Sequence, residues 1–478
     1  MMTTPTSTRT GNGLALLANK CASRTFDISS GMVYASMRDQ IVRAQLLIRD
    51  LKRCDPSCER ILIVGAGVAG IVAAVTARSL GVETLVVESN SGPLDLQTNV
   101  HSRMVGPFMY EWPSVLSNDQ SFPSTVGVLG NVLDLTPTWT ATAPISAHDF
   151  VQQFVTWYSR IPLLHANHQV IYNCDKVTVK NYVQEFVRAH SQLTSAGARS
   201  RSPTTPFTEN SIFQPDYVIL AVGMGTERVH LIDGTEGNTK GVKGEPFWKD
   251  DDLRTRPKMD WDVGVFGGGD GALQDALRLI TKFDHPLLFI EQLRDGEDNI
   301  ARQLNSVTPE LEALEQQSRL YATWSSGPVY DLIDTECERI CTELAAQHEV
   351  VSKVRAQIRD GDGSVKLVHL GAYFGKAYLL NRFCLHLIEQ CLPGKRTPGK
   401  VAYKRLKNSR ALKASTNASG VHIVKLLSGA KLKLNKIVVR FGPSQAELSD
   451  RQLVKLHPDT QADRTSMASI PLPFTVSK

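Results

Sequence analysis

Two glycine-rich turns hold the residues whose types and spacing speak most directly of chemistry. The first is Gly65, Ala66, Gly67 and Gly70 in ILIVGAGVAG (61–70), and the second is Gly267, Gly269, Asp270 and Ala272 in VGVFGGGDGALQDAL (263–277). Each follows a short apolar run that reads as a buried strand and opens a helix. In such a turn the first glycine makes the tight bend, the second lets the backbone approach a diphosphate, and a small third residue lets helix and strand pack closely. The diphosphate would lie at the helix start, where free N–H groups and the macrodipole favour negative charge. A carboxylate closes each unit. Glu88 ends the strand Thr84–Val87, 23 positions after Gly65, and Glu291 ends an expected strand Leu287–Ile290, 24 positions after Gly267. An acid there accepts hydrogen bonds from ribose hydroxyls. At the second turn it suits a free 2′-hydroxyl, which favours NAD(H) over NADP(H), with Arg294 acting against that preference.

With LAVGMG (220–225) between the two turns, the chain resembles the two-dinucleotide-binding flavoproteins over roughly residues 60–295. These include thioredoxin reductases, flavin-containing monooxygenases and related disulfide reductases. In the thioredoxin-reductase branch an FAD fingerprint precedes a hydrophobic strand ending in Ala-Thr-Gly, and a Gly-Gly-Gly-Asp-Ser-Ala turn follows. Here GAGVAG, DYVILAVGMG and GGGDGA stand in the same order. The resemblance implies that Gly65, Ala66, Gly67, Gly70 and Glu88 hold the ADP half of FAD and that Ala221 and Gly223 mark the exit of the flavin domain. It also implies that Gly267, Gly269, Asp270, Ala272 and Glu291 hold NAD(H) or NADP(H). The segment 144–161 is similar to the helix placed before the central β-meander of these enzymes, and 191–210 reads as the loop at the meander's tip.

Departures from the pattern narrow the chemistry. The chain has no Cys-x-x-Cys, which argues against dithiol reduction, and no Phe-x-Gly-x-x-x-His, which weakens a monooxygenase reading. Val222 and Gly271 replace the usual threonine and serine of the two motifs. The terminal Gly-Asp strand has no clear counterpart; its stand-in is KIVVRFGPSQAEL (436–448), with Arg440 or the backbone after Gly442 serving the flavin. The loop after Glu88 (96–114) supplies Gln97, Asn99, His101, Arg103, Tyr110, Glu111 and Trp112 towards the isoalloxazine or a substrate.

The elements that must position these residues define an α/β protein with two Rossmann-like domains, FAD-type with a β-meander and inserted NAD(P)-type, behind an N-terminal helical extension. The expected division is 1–59 for tail and amphipathic helix, 60–235 for the FAD domain, 255–360 for the NAD(P) domain with a helical insert over 300–358, and 361–478 returning to the FAD domain. The length of 478 residues, 42% hydrophobic and 21% charged, suits a globular chain of two or three domains. The first 26 residues, lacking acids and rich in Ser and Thr, read as a disordered tail or resemble an organellar transit segment. Tyr34, Met37, Ile41, Ala44, Ile48 and Leu51 form an apolar helical stripe that packs on its own domain or makes a homodimer seam. No apolar stretch is long enough for a membrane span, and the eight scattered cysteines suit a reducing, cytoplasmic setting. Cys54 with Cys58 and Cys337 with Cys341 lack a second ligand pair, so no metal is expected.

Charge is uneven. From Cys391 to Ala446 there are 13 Lys and Arg and no acid. Residues 395–440 therefore offer a surface to an anionic partner, protein or nucleic acid, or form a solvated face. Together these features predict an FAD-dependent oxidoreductase passing hydride from NAD(P)H to flavin and on to an unspecified acceptor. The alternative is a non-catalytic FAD/NAD-binding sensor or scaffold acting through a partner.

Overall fold

The computed structural model describes residues 13–29, 37–106, 112–113, 143–160, 168–191, 202–208, 212–225, 227–232, 242–296, 298–319, 328–375, 377–392 and 397–443. Two parallel sheets organise it. The first contains β1 (Lys20–Ala22), β2 (Thr25–Asp27), β3 (Arg60–Val64), β4 (Glu83–Val87), β7 (His168–Ile171) and β8 (Tyr217–Leu220), in the order β1-β2-β8-β3-β4-β7. Only the β1–β2 hairpin is antiparallel. Beside this sheet, β5 (Met104–Val105) pairs with β6 (Ile145–Ser146). The apolar runs Ile61–Val64 and Leu85–Val87 are buried throughout, as parallel strands covered on both faces must be.

The helix Val68–Ser79 that follows β3 is buried from Val68 to Ala77 because it lies under a second helix, Met37–Cys54. The latter sets Ile41, Ala44, Leu47, Ile48 and Leu51 into one core with Ile71, Val72 and Val75. Burying each large aliphatic side chain stabilises by about 1.5–3 kcal/mol. From Ile41 to Leu51 the apolar stripe therefore packs on its own domain; Tyr34 lies outside the described residues. Residues 20–27, expected to be tail, are folded: β2 extends the sheet alongside β8, and Ile28 donates its N–H to Leu220 O at 2.9 Å.

The second sheet joins β9 (Asp262–Phe266), β10 (Ser364–Val368), β11 (Ala402–Leu406) and β15 (Lys436–Val439), all parallel, in the order β11-β10-β9-β15. Between β11 and β15 the chain makes an antiparallel sheet of β12 (Ala411–Thr416), β13 (His422–Leu426) and β14 (Lys431–Leu434). Its inner side chains, Val424, Leu426, Leu432 and Leu434, cover Phe266, Val368 and Val439. The opposite face packs against the helices Asp270–Ile280 and Leu379–Cys391 and a helical insert running from Pro286 to Ala356.

One expectation about organisation is corrected. The strands between 364 and 439 do not return to the first sheet: β10 and β15 cover the two edges of β9, and β11 pairs with β10. Among the described residues, the three-stranded antiparallel sheet β12–β14 packs on this second unit. In the first, the helix Lys176–Ser191 occupies the crossover between β7 and β8, with Val179, Val183 and Phe186 against the sheet. Most of the expected meander tip lies outside the described residues. The helix expected over 144–161 forms at Ala147–Ser159, and its N-cap Ser146 accepts a hydrogen bond from Asp149 N at 3.0 Å.

Candidate functional site

The two sheets are built alike around their glycine turns. Gly65 N donates to Val87 O at 2.8 Å and Ala221 N to Val64 O at 2.8 Å; in the second sheet, Gly267 N donates to Val368 O at 2.9 Å and Arg440 N to Phe266 O at 2.8 Å. Residue by residue, Gly65 therefore corresponds to Gly267, Ala221 to Arg440, and Glu88, following Val87, to His369, following Val368.

At the first turn each glycine has a distinct physical reason. Gly65 has φ 107°, and a Cβ there would collide with the Ala221 carbonyl. A Cβ on Gly70 would collide with Gly65 O, so this residue keeps helix and strand close. Gly67 adopts extended backbone with nothing within 4 Å of a Cβ, leaving open space in front of the helix start. No side chain caps that helix, so its first N–H groups remain for a ligand. Glu88 is fixed between the turn and the next loop: Oε2 accepts from Ala66 N at 2.7 Å and Oε1 from Asn90 N at 2.8 Å. Uncapped helix start, open Gly67 and strand-end acid fit the diphosphate and ribose of FAD.

The second turn keeps the cradle and changes its partners. Gly267 has φ 142°, a Cβ on it would collide with Arg440 O, and the helix Asp270–Ile280 is again uncapped by a side chain. Asp270 spends its Oδ1 on Tyr378 N and Asn381 Nδ2, both at 2.7 Å, and so anchors the loop 370–378 over the turn. Gly375 N adds a bond to Gly268 O at 2.7 Å. Ala272 is buried, as the packing position requires.

Glu291 is a correction. The run Leu287–Ile290 is not a strand but part of the helix Pro286–Arg294, started by Pro286 and by His285, whose ring accepts Leu287 N at 3.1 Å. Glu291 therefore ends no strand and lines no part of the cavity. The strand that completes the unit is β10, and the residue at its end is His369. His369 is 4% exposed, with the Gly371 backbone beside its ring. Burial, with Arg405 nearby, pulls its pKa down to about 4. Arg410, exposed and without a carboxylate partner among the described residues, lines the same region. Sequence reasoning missed His369 because the insert separates β10 from its turn; the signal was the β-branched run before it, SVKLV.

One cavity of about 2420 Å³ reaches both turns, touching Gly65, Gly67, Glu88, Gln97, Ala221 and Gly223 on one side and Gly267, Gly269, Asp270 and His369 on the other. Ala66, Gly70 and Ala272 act from behind its wall. Phe247 and Glu227 also line this cavity. Phe247 N donates to Glu227 Oε2 at 2.7 Å. Burial pushes the Glu227 carboxyl up despite that bond.

Beneath Phe247 lies a buried ionic hub. Asp275, fully buried, pairs with Arg103, with Arg278 at 3.0 Å and with Arg440 at 2.8 Å; Asp251 adds Arg103 at 2.9 Å and Arg278 at 2.8 Å. Burial alone would raise the Asp275 carboxyl, but the guanidinium groups of Arg103, Arg440 and Arg278 hold it well below the usual carboxylate range. The hub ties the loop after Glu88 to the second domain. Arg103 thus has a structural post, and His101 contributes its N–H to Asp250 at 2.6 Å. Trp112 packs against Phe383 at 5.0 Å, whereas Tyr110 and Glu111 lie outside the described residues. Arg440, expected with the backbone after Gly442 near the flavin, follows β15, pairs with Asp275 and lines the cavity, as Gly442 does.

All eight cysteines are free thiols. None lines the cavity among the described residues, and Cys337 and Cys341 lie buried in the second domain's core. No helix among the described residues is long and apolar enough to cross a membrane.

Residues 59–293, just under half of the chain, match the family model of pyridine nucleotide-disulphide oxidoreductases. Over those residues the chain is similar to that family, and its two parallel sheets with their glycine turns give it an α/β fold of Rossmann-like domains. Similar solved structures include bacillithiol disulfide reductase Bdr from Staphylococcus aureus (11% identity, 85% of this chain and 80% of that one, TM-score 0.33). Thioredoxin reductase from Lactococcus lactis in its FR conformation gives 12% identity over 86% and 96% of the chains, TM-score 0.32. OTEMO in complex with FAD and NADP gives 10% identity over 82% and 72%, TM-score 0.36. The likeness to the family therefore rests on residues 59–293. No curated protein matches the chain.

Proposed function

We propose that the protein takes hydride from a nicotinamide nucleotide at the Gly267 turn to FAD at the Gly65 turn, and that NADPH is preferred to NADH. The observation that carries this reading is the single cavity joining the two turns. FAD supplies the chemistry of accepting a hydride and releasing its electrons to a further acceptor. The chain's residues bind and orient. Gly67 and the uncapped helix start receive a diphosphate, and Glu88 meets its ribose. Gly269 with the second helix start receives the other diphosphate.

Preference for NADPH follows from the strand end. The strand end itself carries an imidazole instead of a carboxylate, so no acid at that position repels a 2′-phosphate. His369 brings an imidazole to the cavity wall and Arg410 a cation. The cavity holds no thiol, which favours an acceptor from outside the chain over an internal dithiol.

Nucleotide titration of the purified flavoprotein tests the preference. NADPH is expected to bind about tenfold tighter than NADH, a difference of about 1.4 kcal/mol, and His369→Glu to reverse the order. Tighter NADH binding by the unaltered protein would contradict the assignment.

A further inference from the structure

The outer face of the β12–β14 sheet carries a charge pattern that the fold does not need. In register, Lys413 lies directly across from Lys425, and Lys425 directly across from Lys431. One step along, Ile423 faces Lys433. All four lysines are exposed, and none has a carboxylate partner among the described residues. Directly opposed residues on a sheet lie about 4.5–5.5 Å apart at Cβ, and like charges so placed are destabilising. Lysine on an edge strand guards against aggregation, which accounts for Lys413 and Lys431. It does not account for Lys425, on the central strand.

Apolar side chains share the region. Leu412, at the β-bulge of β12, is 43% exposed, and Leu427, two residues beyond Lys425 in the turn to β14, is 49% exposed. The face runs up to the cavity, since Arg410, Ala411 and Leu412 line its rim. No acid occurs between Cys391 and Ala446 to neutralise it from within the segment.

We infer that this face docks an acidic protein surface that also presents apolar side chains. Carboxylates would relieve the repulsion along the lysine row, and Leu412, Ile423 and Leu427 would bury apolar area that a phosphate backbone leaves exposed. The lysine rows hold no aromatic side chain on which bases could stack, so a single-stranded nucleic acid fits less well.

Binding to the purified holoprotein, read by fluorescence anisotropy without added pyridine nucleotide, tests this independently of the NADPH reading. The probes are a peptide alternating glutamate and leucine, poly-glutamate of equal length, an oligothymidylate, and phosphatidylserine vesicles. The alternating peptide is expected to bind tightest, to weaken with salt, and to lose about tenfold in affinity with the triple variant Lys413→Gln, Lys425→Gln, Lys431→Gln. Leu412→Ser with Leu427→Ser is expected to erase its advantage over poly-glutamate. Equal or tighter binding of the oligonucleotide or the vesicles, or unchanged peptide affinity in the triple variant, would overturn the inference. Lys425→Gln alone is expected to raise Tm; a lower Tm would show that the row is not under repulsion and would count against it.

Discussion

Gly65 and Gly67 are two positions apart, and each fails for its own reason when substituted. Gly65→Ala forces a Cβ into the Ala221 carbonyl at φ 107° and is expected to cost at least about 1–3 kcal/mol of stability. Gly67→Ala meets no atom and no backbone strain, so stability is expected to stay within about 1 kcal/mol while bound flavin falls. Thermal melting beside the ratio of flavin to protein absorbance separates the two; equal loss of Tm in both variants would contradict the division of roles. The first unit was legible because strand, turn, helix and acid follow one another without interruption. Glu88 could be found by counting. Glu291 came from the same count and failed, because a count along the chain assumes that the next apolar run is the next strand. Pro286, at the first position of a helix, was the local sign against that assumption, and a short apolar run is ambiguous between helix and strand.

Elements show where tertiary pairing overrides such local signals. The strands β10, β11 and β15 are recognisable as apolar or alternating runs, but their membership of the second sheet depends on contacts made across the helical insert. Nothing in their composition says which sheet they join. The insert's first helix also carries a titration that can be measured. His285 is fully buried, accepts Leu287 N, and burial pulls its pKa down to about 3. The unfolded chain therefore takes up this proton first as pH falls below about 6.5. The sign follows: stability is retained above the unfolded pKa and declines from there towards pH 3, by roughly 2 kcal/mol between pH 6.5 and 5 for this group. His285→Asn, which can still accept Leu287 N, is expected to flatten the acid limb of a Tm-against-pH curve; an unchanged limb would exclude His285 as its source.

At the scale of the whole molecule, the Asp275 hub and the shared cavity decide how the two units work together. Arg103 reaches from the first unit to Asp275 and Asp251, and Arg440 reaches Asp275 from β15, so one carboxylate holds groups drawn from both units. Asp275→Asn leaves three guanidinium groups without their central charge and is expected to cost about 3–5 kcal/mol, measured by denaturant unfolding. A loss below about 1 kcal/mol would show that the hub is solvated in solution. The hub was not legible in the sequence, since Arg103, Asp251, Asp275 and Arg440 come from four separate segments. The central claim is that both turns serve one redox site. Anaerobic addition of NADPH, and separately NADH, to the purified protein while following the visible flavin band tests it most directly. The account predicts bound FAD that either nucleotide bleaches, NADPH faster. A colourless protein that takes up no added FAD, or bound flavin that neither nucleotide bleaches, would contradict it.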